Sequence, residues 1–125
     1  MSGNVQVSGQ WDADQDNGFV AHFNLRFTGA TRTVVGLGGP FVVPEIDGGT
    51  LCSLSNGSVK SVAASGYVQN DYFELIVTWD NRTQGKYTGF LQRSGPNIGL
   101  ITGDTVDMMH AGNSAKWKSS RNFPL

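Results

Sequence analysis

Hydrophobic and polar positions alternate along several short runs of this chain. In residues 19–28 every second side chain is apolar, and the intervening ones include His22 and Arg26. A period of two places successive side chains on opposite faces of a β-strand, whereas an amphipathic helix needs a period of 3.6. Both this run and residues 72–79 are therefore predicted to be half-buried strands. The apolar face of the second run consists of Phe73, Leu75, Val77 and Trp79.

Turn-forming residues separate further short apolar runs. Pairs such as Asn17-Gly18 and Asp47-Gly48 supply residues that tolerate positive φ. We expect a loop over residues 36–47, because Pro40 and Pro44 cannot donate to a strand ladder. A helix is expected nowhere, apart from at most one or two turns within Asp104–Gly112. The additional predicted strands are residues 5–11, 31–36, 50–54, 59–68, 86–92, 98–106 and 115–123.

About eight short strands joined by tight turns predict an all-β fold, either an antiparallel sandwich or an up-and-down barrel. We favour the antiparallel up-and-down β-barrel, because closure removes the exposed edges that a short chain would otherwise have to protect. The length of 125 residues fits one domain, residues 1–125.

Charge and cysteine content narrow the classes of partner. Nine basic and ten acidic residues give a net charge of -1, which argues against nucleic acid and membrane surfaces as partners. A single cysteine, Cys52, excludes an internal disulfide framework. The first ten residues show no basic start and no apolar run, so no signal peptide is predicted and the compartment stays open.

Candidate catalytic and metal-binding residues are few. No Gly-x-Ser-x-Gly sequence occurs and no carboxylate pair indicates glycosidase chemistry, so we predict neither an enzyme nor a cofactor. His22 and His110 lack metal-ligand spacing. Asp12, Asp14 and Asp16 are spaced like the opening of a calcium loop, but its glycine and its final glutamate are missing. A solvated hairpin turn is favoured there, and calcium binding is left open.

Four short motifs appear in order along the chain: Gly9-Gln10-Trp11, Val77–Trp79, Tyr87–Gly89 and Trp117–Arg121. Together they resemble the avidin and streptavidin family. The resemblance implies a small-ligand barrel with biotin as the familiar ligand, assembled as a dimer or tetramer. It also implies that Trp11 closes one end of the barrel with Arg121 packed across its ring.

The resemblance further implies where the ligand lies. Trp79 and Tyr87 would form apolar walls, and Trp117 would stand at a subunit interface or at the pocket rim. Thr78 or Thr88 would donate hydrogen bonds, depending on which strand face lines the lumen. The Asn and Ser that hold the ureido oxygen of biotin in that family are not evident after Trp11. We therefore expect a non-enzymatic barrel that binds biotin or a biotin-like small molecule.

A carbohydrate-binding, lectin-like sandwich or barrel is the alternative. Three tryptophans and three tyrosines in a charge-poor chain could stack on the apolar faces of sugars, while Asn side chains would bind hydroxyls.

Overall fold

The computed structural model describes residues 4–36, 38–54, 57–80, 82–96, 98–109 and 112–124, with the side chains in those ranges except at 49–54 and 57–58. The strands in these ranges are Gly9–Gln15 (β1), Val20–Gly36 (β2), Gly39–Leu54 (β3), Gly57–Gln69 (β4), Tyr72–Trp79 (β5), Gln84–Gly95 (β6), Ile98–Asp107 (β7), Ser114–Ser119 (β8) and Phe123–Pro124 (β9). The side chain of Cys52 and the whole of His110 lie outside the described residues.

Strands β1 to β8 form a closed barrel. Each strand pairs antiparallel with the next one in the chain, and β8 pairs with β1 through Asp14 and Lys118. The short strand β9 adds to β7, where Phe123 lies opposite Gly99. The prediction of an all-β, up-and-down barrel is confirmed, and the sandwich is not formed.

Alternation along the strands decides which side chains fill the barrel. In β5 each residue of the predicted apolar face is buried, and the residues between them are partly exposed. In β2 the buried positions include Ala21, Phe23 and Leu25. In β5 and in the first half of β2, a period of two thus places one strand face in the core of the barrel.

The chain before β1 covers one end of the barrel, which we call the closed end. Val5 donates its backbone N–H to Asn70 O at 2.7 Å, and Gln6 donates to Pro124 O at 2.9 Å. The prediction of a strand beginning at Val5 is wrong. The strand begins at Gly9, whose φ of 102° lies in a region that other residues rarely adopt.

The second and third strands are longer than predicted. Residues 31–36 continue β2 after a register shift, and residues 39–47 of the segment predicted to be a loop belong to β3. Pro40 and Pro44 pair with β2 only, since the pairing of β3 with β4 starts at Glu45. Proline is tolerated in a strand with one open edge, which explains the error.

The helical turns allowed near Asp104 do not form in the described part of that segment. Strand β7 continues to Asp107, and a turn follows at Met108 and Met109. In the described ranges, no helix has the length and apolar character that crossing a membrane requires.

Candidate ligand cavity

A cavity of about 480 Å³ lies at the end of the barrel opposite the closed end. We call this the open end. Asn17, Thr83 and Asn113 line the cavity from the β1–β2, β5–β6 and β7–β8 connections. Its volume falls in the range typical of small-molecule sites.

Four inner side chains line the depth of the cavity. Trp79 is the last residue of the apolar face of β5, and Tyr87 follows on the inner face of β6. Gln15 and Thr105 lie at the corresponding ends of β1 and β7. Each strand therefore contributes the residue at which its inner face approaches the open end.

The indole N–H groups of the three tryptophans differ in their partners. Trp11 Nε1 donates to Val7 O at 2.9 Å, and Trp117 Nε1 donates to Asp104 O at 3.0 Å. Among the described residues, Trp79 Nε1 has no hydrogen-bond partner, although Trp79 is only 7% exposed and lines the cavity. A buried donor without a partner costs free energy, so this N–H is available to a ligand.

The Thr105 hydroxyl is in the same situation. Thr105 is 8% exposed, lines the cavity and has no side-chain hydrogen bond within the described ranges. A hydroxyl can both donate and accept, whereas an indole N–H can only donate. The cavity therefore offers two buried donors and one acceptor.

Gly85 forms the surface between these two groups. A methyl group added there would lie 3.4 Å from Trp79 Nε1, 3.4 Å from Tyr87 Cε1 and 3.9 Å from Thr105 Oγ1. The missing side chain therefore leaves a gap that adjoins both unpartnered groups.

Other polar side chains that line the cavity have hydrogen-bond partners within the protein. Gln15 Nε2 donates to the Tyr87 hydroxyl at 3.2 Å, which fixes the Tyr87 ring across the cavity. Asp107 is the one charged residue among the described residues that line the cavity. Its carboxylate accepts a hydrogen bond from the backbone N–H of Met109 at 2.9 Å.

The residues expected to bind the ligand fall into two groups. Trp79 and Tyr87 meet at the cavity. Thr78 and Thr88 lie on the outer strand faces, where Thr78 Oγ1 accepts a hydrogen bond from Gln84 at 3.0 Å.

Trp117 lies within the core of the barrel. The resemblance to the avidin family implies a position at a subunit interface or at the pocket rim. Trp117 is 3% exposed, and its ring centroid lies 6.0 Å from that of Trp11 and 6.2 Å from that of Tyr87.

At the closed end the expected stacking of Arg121 on Trp11 is wrong. Arg121 lies over the ring of Phe123, with its guanidinium carbon 4.8 Å from the ring centroid, and donates to Ser8 O at 2.8 Å. Phe123 in turn packs edge-on against Trp11 at 4.8 Å. The phenyl ring of β9 therefore occupies the position expected for the guanidinium.

The acidic segment is divided between a strand and a turn: Asp12 and Asp14 belong to β1, and the favoured hairpin turn begins at Asp16. Asp12 bonds to His22 at 2.7 Å, and Asp16 accepts from the backbone N–H of Lys116 at 3.2 Å. No group of three or more potential metal ligands occurs among the described residues.

An aromatic row on the outer wall is a second surface of interest. Tyr72 lies 5.9 Å from Tyr67 and 5.1 Å from Phe90, measured between ring centroids. The rings are tilted by 50° and 53°, so they form no flat platform. Burial, and then the neighbouring Glu74 carboxylate, raise the pKa of Tyr72 well above its usual value.

The sequence prediction missed Gln15, Thr105 and Gly85. The signal was present, because Gln15 continues the inner face of Trp11 and Ala13, and Thr105 continues that of Ile101. A polar residue at the end of an apolar stripe marks the point where a strand leaves the core.

Comparisons of the chain with protein-family models, with curated protein sequences and with solved structures give no match.

Proposed function

We propose that this protein is a non-enzymatic barrel that binds a small molecule in the cavity at its open end, with biotin or a biotin-like compound as the first candidate. The observation that carries the proposal is the unpartnered indole N–H of Trp79, buried beside a cavity of about 480 Å³. A buried donor of this kind lowers the stability of the protein unless a ligand accepts a hydrogen bond from it.

The lining suits a compact, partly apolar molecule. The Trp79 and Tyr87 rings supply apolar walls, and Thr105 and Trp79 supply polar groups between them. Such a mixture of apolar walls with few polar groups is typical of small-molecule sites. Biotin is chosen first because of the resemblance to the avidin family, and its charged tail would extend toward solvent.

A sugar is the second candidate. Asn17, Asn113 and Gln15 line the cavity alongside the aromatic residues, and amides bind sugar hydroxyls. A dimer or tetramer stays part of the proposal through the resemblance alone, and size-exclusion chromatography tests it.

Tryptophan fluorescence tests the ligand. We expect biotin to change the emission of the protein saturably. Trp79→Phe should raise the dissociation constant obtained from this titration by about tenfold, because one hydrogen bond is lost. Thr88→Val is the matched control, since Thr88 lies on the outer face, and it should titrate like the wild type. If millimolar biotin changes neither emission nor melting temperature, the biotin proposal is wrong, and a response to a sugar panel instead would favour the second candidate.

A further inference from the structure

We infer that the buried end of the ligand is an uncharged carbonyl group, of the amide, lactam or urea type, seated over Gly85 between Trp79 Nε1 and Thr105 Oγ1. The inference rests on the proposed function and specifies the ligand chemistry of the same cavity.

The geometry over Gly85 defines where such a group would lie. The position of a methyl group at Gly85 is 3.4 Å from Trp79 Nε1 and 3.9 Å from Thr105 Oγ1. An oxygen placed close to this position would lie near both groups, and it would bond to each at a separation of about 2.7–3.2 Å. A carbonyl oxygen has two lone pairs and can accept from both donors at once.

The charge of the site argues against an anionic group at this depth. Neither donor carries a charge, and no Lys or Arg is present among the described residues that line the cavity. The one charged lining residue, Asp107, would repel an anion. Burying a carboxylate without a neighbouring cation has a large free-energy cost, whereas hydrogen bonds alone compensate for the burial of a neutral carbonyl group.

The other two tryptophans supply an internal comparison. Their N–H groups already donate to backbone carbonyls of Val7 and Asp104. The inner wall of the barrel thus satisfies an indole N–H with a carbonyl at two of three positions, and the third is expected to receive its carbonyl from the ligand.

Nuclear magnetic resonance of the indole N–H groups tests this directly. The probe is δ-valerolactam, a small neutral molecule with one carbonyl, titrated into the full-length protein labelled with nitrogen-15. The chain has three tryptophans and hence three indole signals, and Trp79→Phe assigns the relevant one. We expect the Trp79 N–H proton to move downfield saturably, with the Trp11 and Trp117 signals nearly still.

Two matched probes examine the acceptor itself. The thiolactam analogue has nearly the same shape and a weaker acceptor, so it should bind about tenfold more weakly. Cyclohexanecarboxylate should bind more weakly still, because it carries a charge. If the carboxylate binds as well as the lactam, the inference is overturned.

Gly85→Ala examines the position. The added methyl group would make only ordinary contacts and would occupy the gap, so the variant should fold normally and bind valerolactam at least about tenfold more weakly. The control is Gly36→Ala, on the exposed end of β2, where nothing lies within 4 Å. Unchanged lactam binding by Gly85→Ala overturns the inference.

The outcomes separate the two proposals. If backbone signals around the cavity shift while the Trp79 indole signal does not, a ligand binds there and the carbonyl position is wrong. If valerolactam moves no signal, the carbonyl inference is overturned, and the biotin titration alone decides the proposed function. If valerolactam shifts the Trp79 signal and biotin has no effect, the inference stands and the ligand is another carbonyl compound.

Discussion

The closed and open ends of the barrel use the same kinds of residue for different purposes. At the closed end Trp11 donates to Val7 O, and its ring packs against Phe123. At the open end Trp79 is almost equally buried, but its N–H has no partner among the described residues and faces a cavity. Burial alone therefore does not separate a core tryptophan from a binding one, whereas the hydrogen-bond partner of the indole does.

The largest expected difference between the two ends is in stability. Trp11→Ala should lower the free energy of unfolding by about 3–5 kcal/mol, because it leaves a void among packed rings. Trp79→Ala should cost about 2 kcal/mol, since the space it leaves joins an existing cavity. Urea denaturation of both variants measures this difference. Equal losses would mean that the open end is packed as core.

A pair of hydroxyl groups gives the next contrast. Ser119 Oγ accepts from Ile101 N at 3.0 Å and donates to Arg121 O at 2.8 Å. Ser119→Ala should therefore cost about 1–3 kcal/mol, because the buried N–H of Ile101 loses its acceptor and the Arg121 carbonyl loses its donor. Thr105→Val should change stability by no more than about 0.5 kcal/mol, since no hydrogen bond is lost. A large loss for Thr105→Val in the same denaturation assay would contradict the account.

Arg121 provides a smaller effect at the closed end. Arg121→Ala should lower the unfolding free energy by about 1–2 kcal/mol, through loss of the contact with Phe123 and of the bond to Ser8 O. Arg121→Lys keeps the charge and loses the planar stack, so its unfolding free energy should lie between those of the wild type and of Arg121→Ala. A change within about 0.5 kcal/mol for the alanine variant would mark an ordinary surface residue.

The smallest effect is expected on the outer wall, which belongs to neither end. Burial and the nearby Glu74 raise the pKa of Tyr72 in the folded protein, so the folded state keeps the phenolic proton to higher pH than the unfolded chain. This contribution to stability is fully present below the ordinary tyrosine pKa of about 10 and is lost as the pH rises above it.

Denaturation at about pH 9 and about pH 11 measures this contribution, because the two values bracket the ordinary pKa. The wild type should lose more stability between them than Tyr72→Phe. Equal losses would show that Tyr72 does not contribute.

The sequence pattern predicted the barrel because strand alternation is strong where one face is buried. The bounds of β5 agree with the prediction, since Phe73 to Trp79 alternate without interruption. The β2–β3 extension was not predictable from proline content, because Pro40 and Pro44 are acceptable only where β3 lacks a second neighbour. That condition depends on the partner strand and not on the local sequence.

The cavity was predicted in part for a similar reason. Trp79 and Tyr87 stand out as large aromatic residues, and both line the cavity. Thr105 and Gly85 look ordinary in the sequence, and their importance depends on what lies across the barrel. The outward position of Thr78 follows from its place beside the inward-facing Val77 and Trp79.

The role of Trp79 in ligand binding is tested most directly by calorimetric titration of the wild type and of Trp79→Phe with biotin, with the unfolding free energy of both proteins measured in parallel. We expect that the wild type binds, that the variant binds about tenfold more weakly, and that the two differ in stability by no more than about 1 kcal/mol. Equal affinity of the two proteins, or a wild type that releases no heat with millimolar biotin, would contradict this expectation.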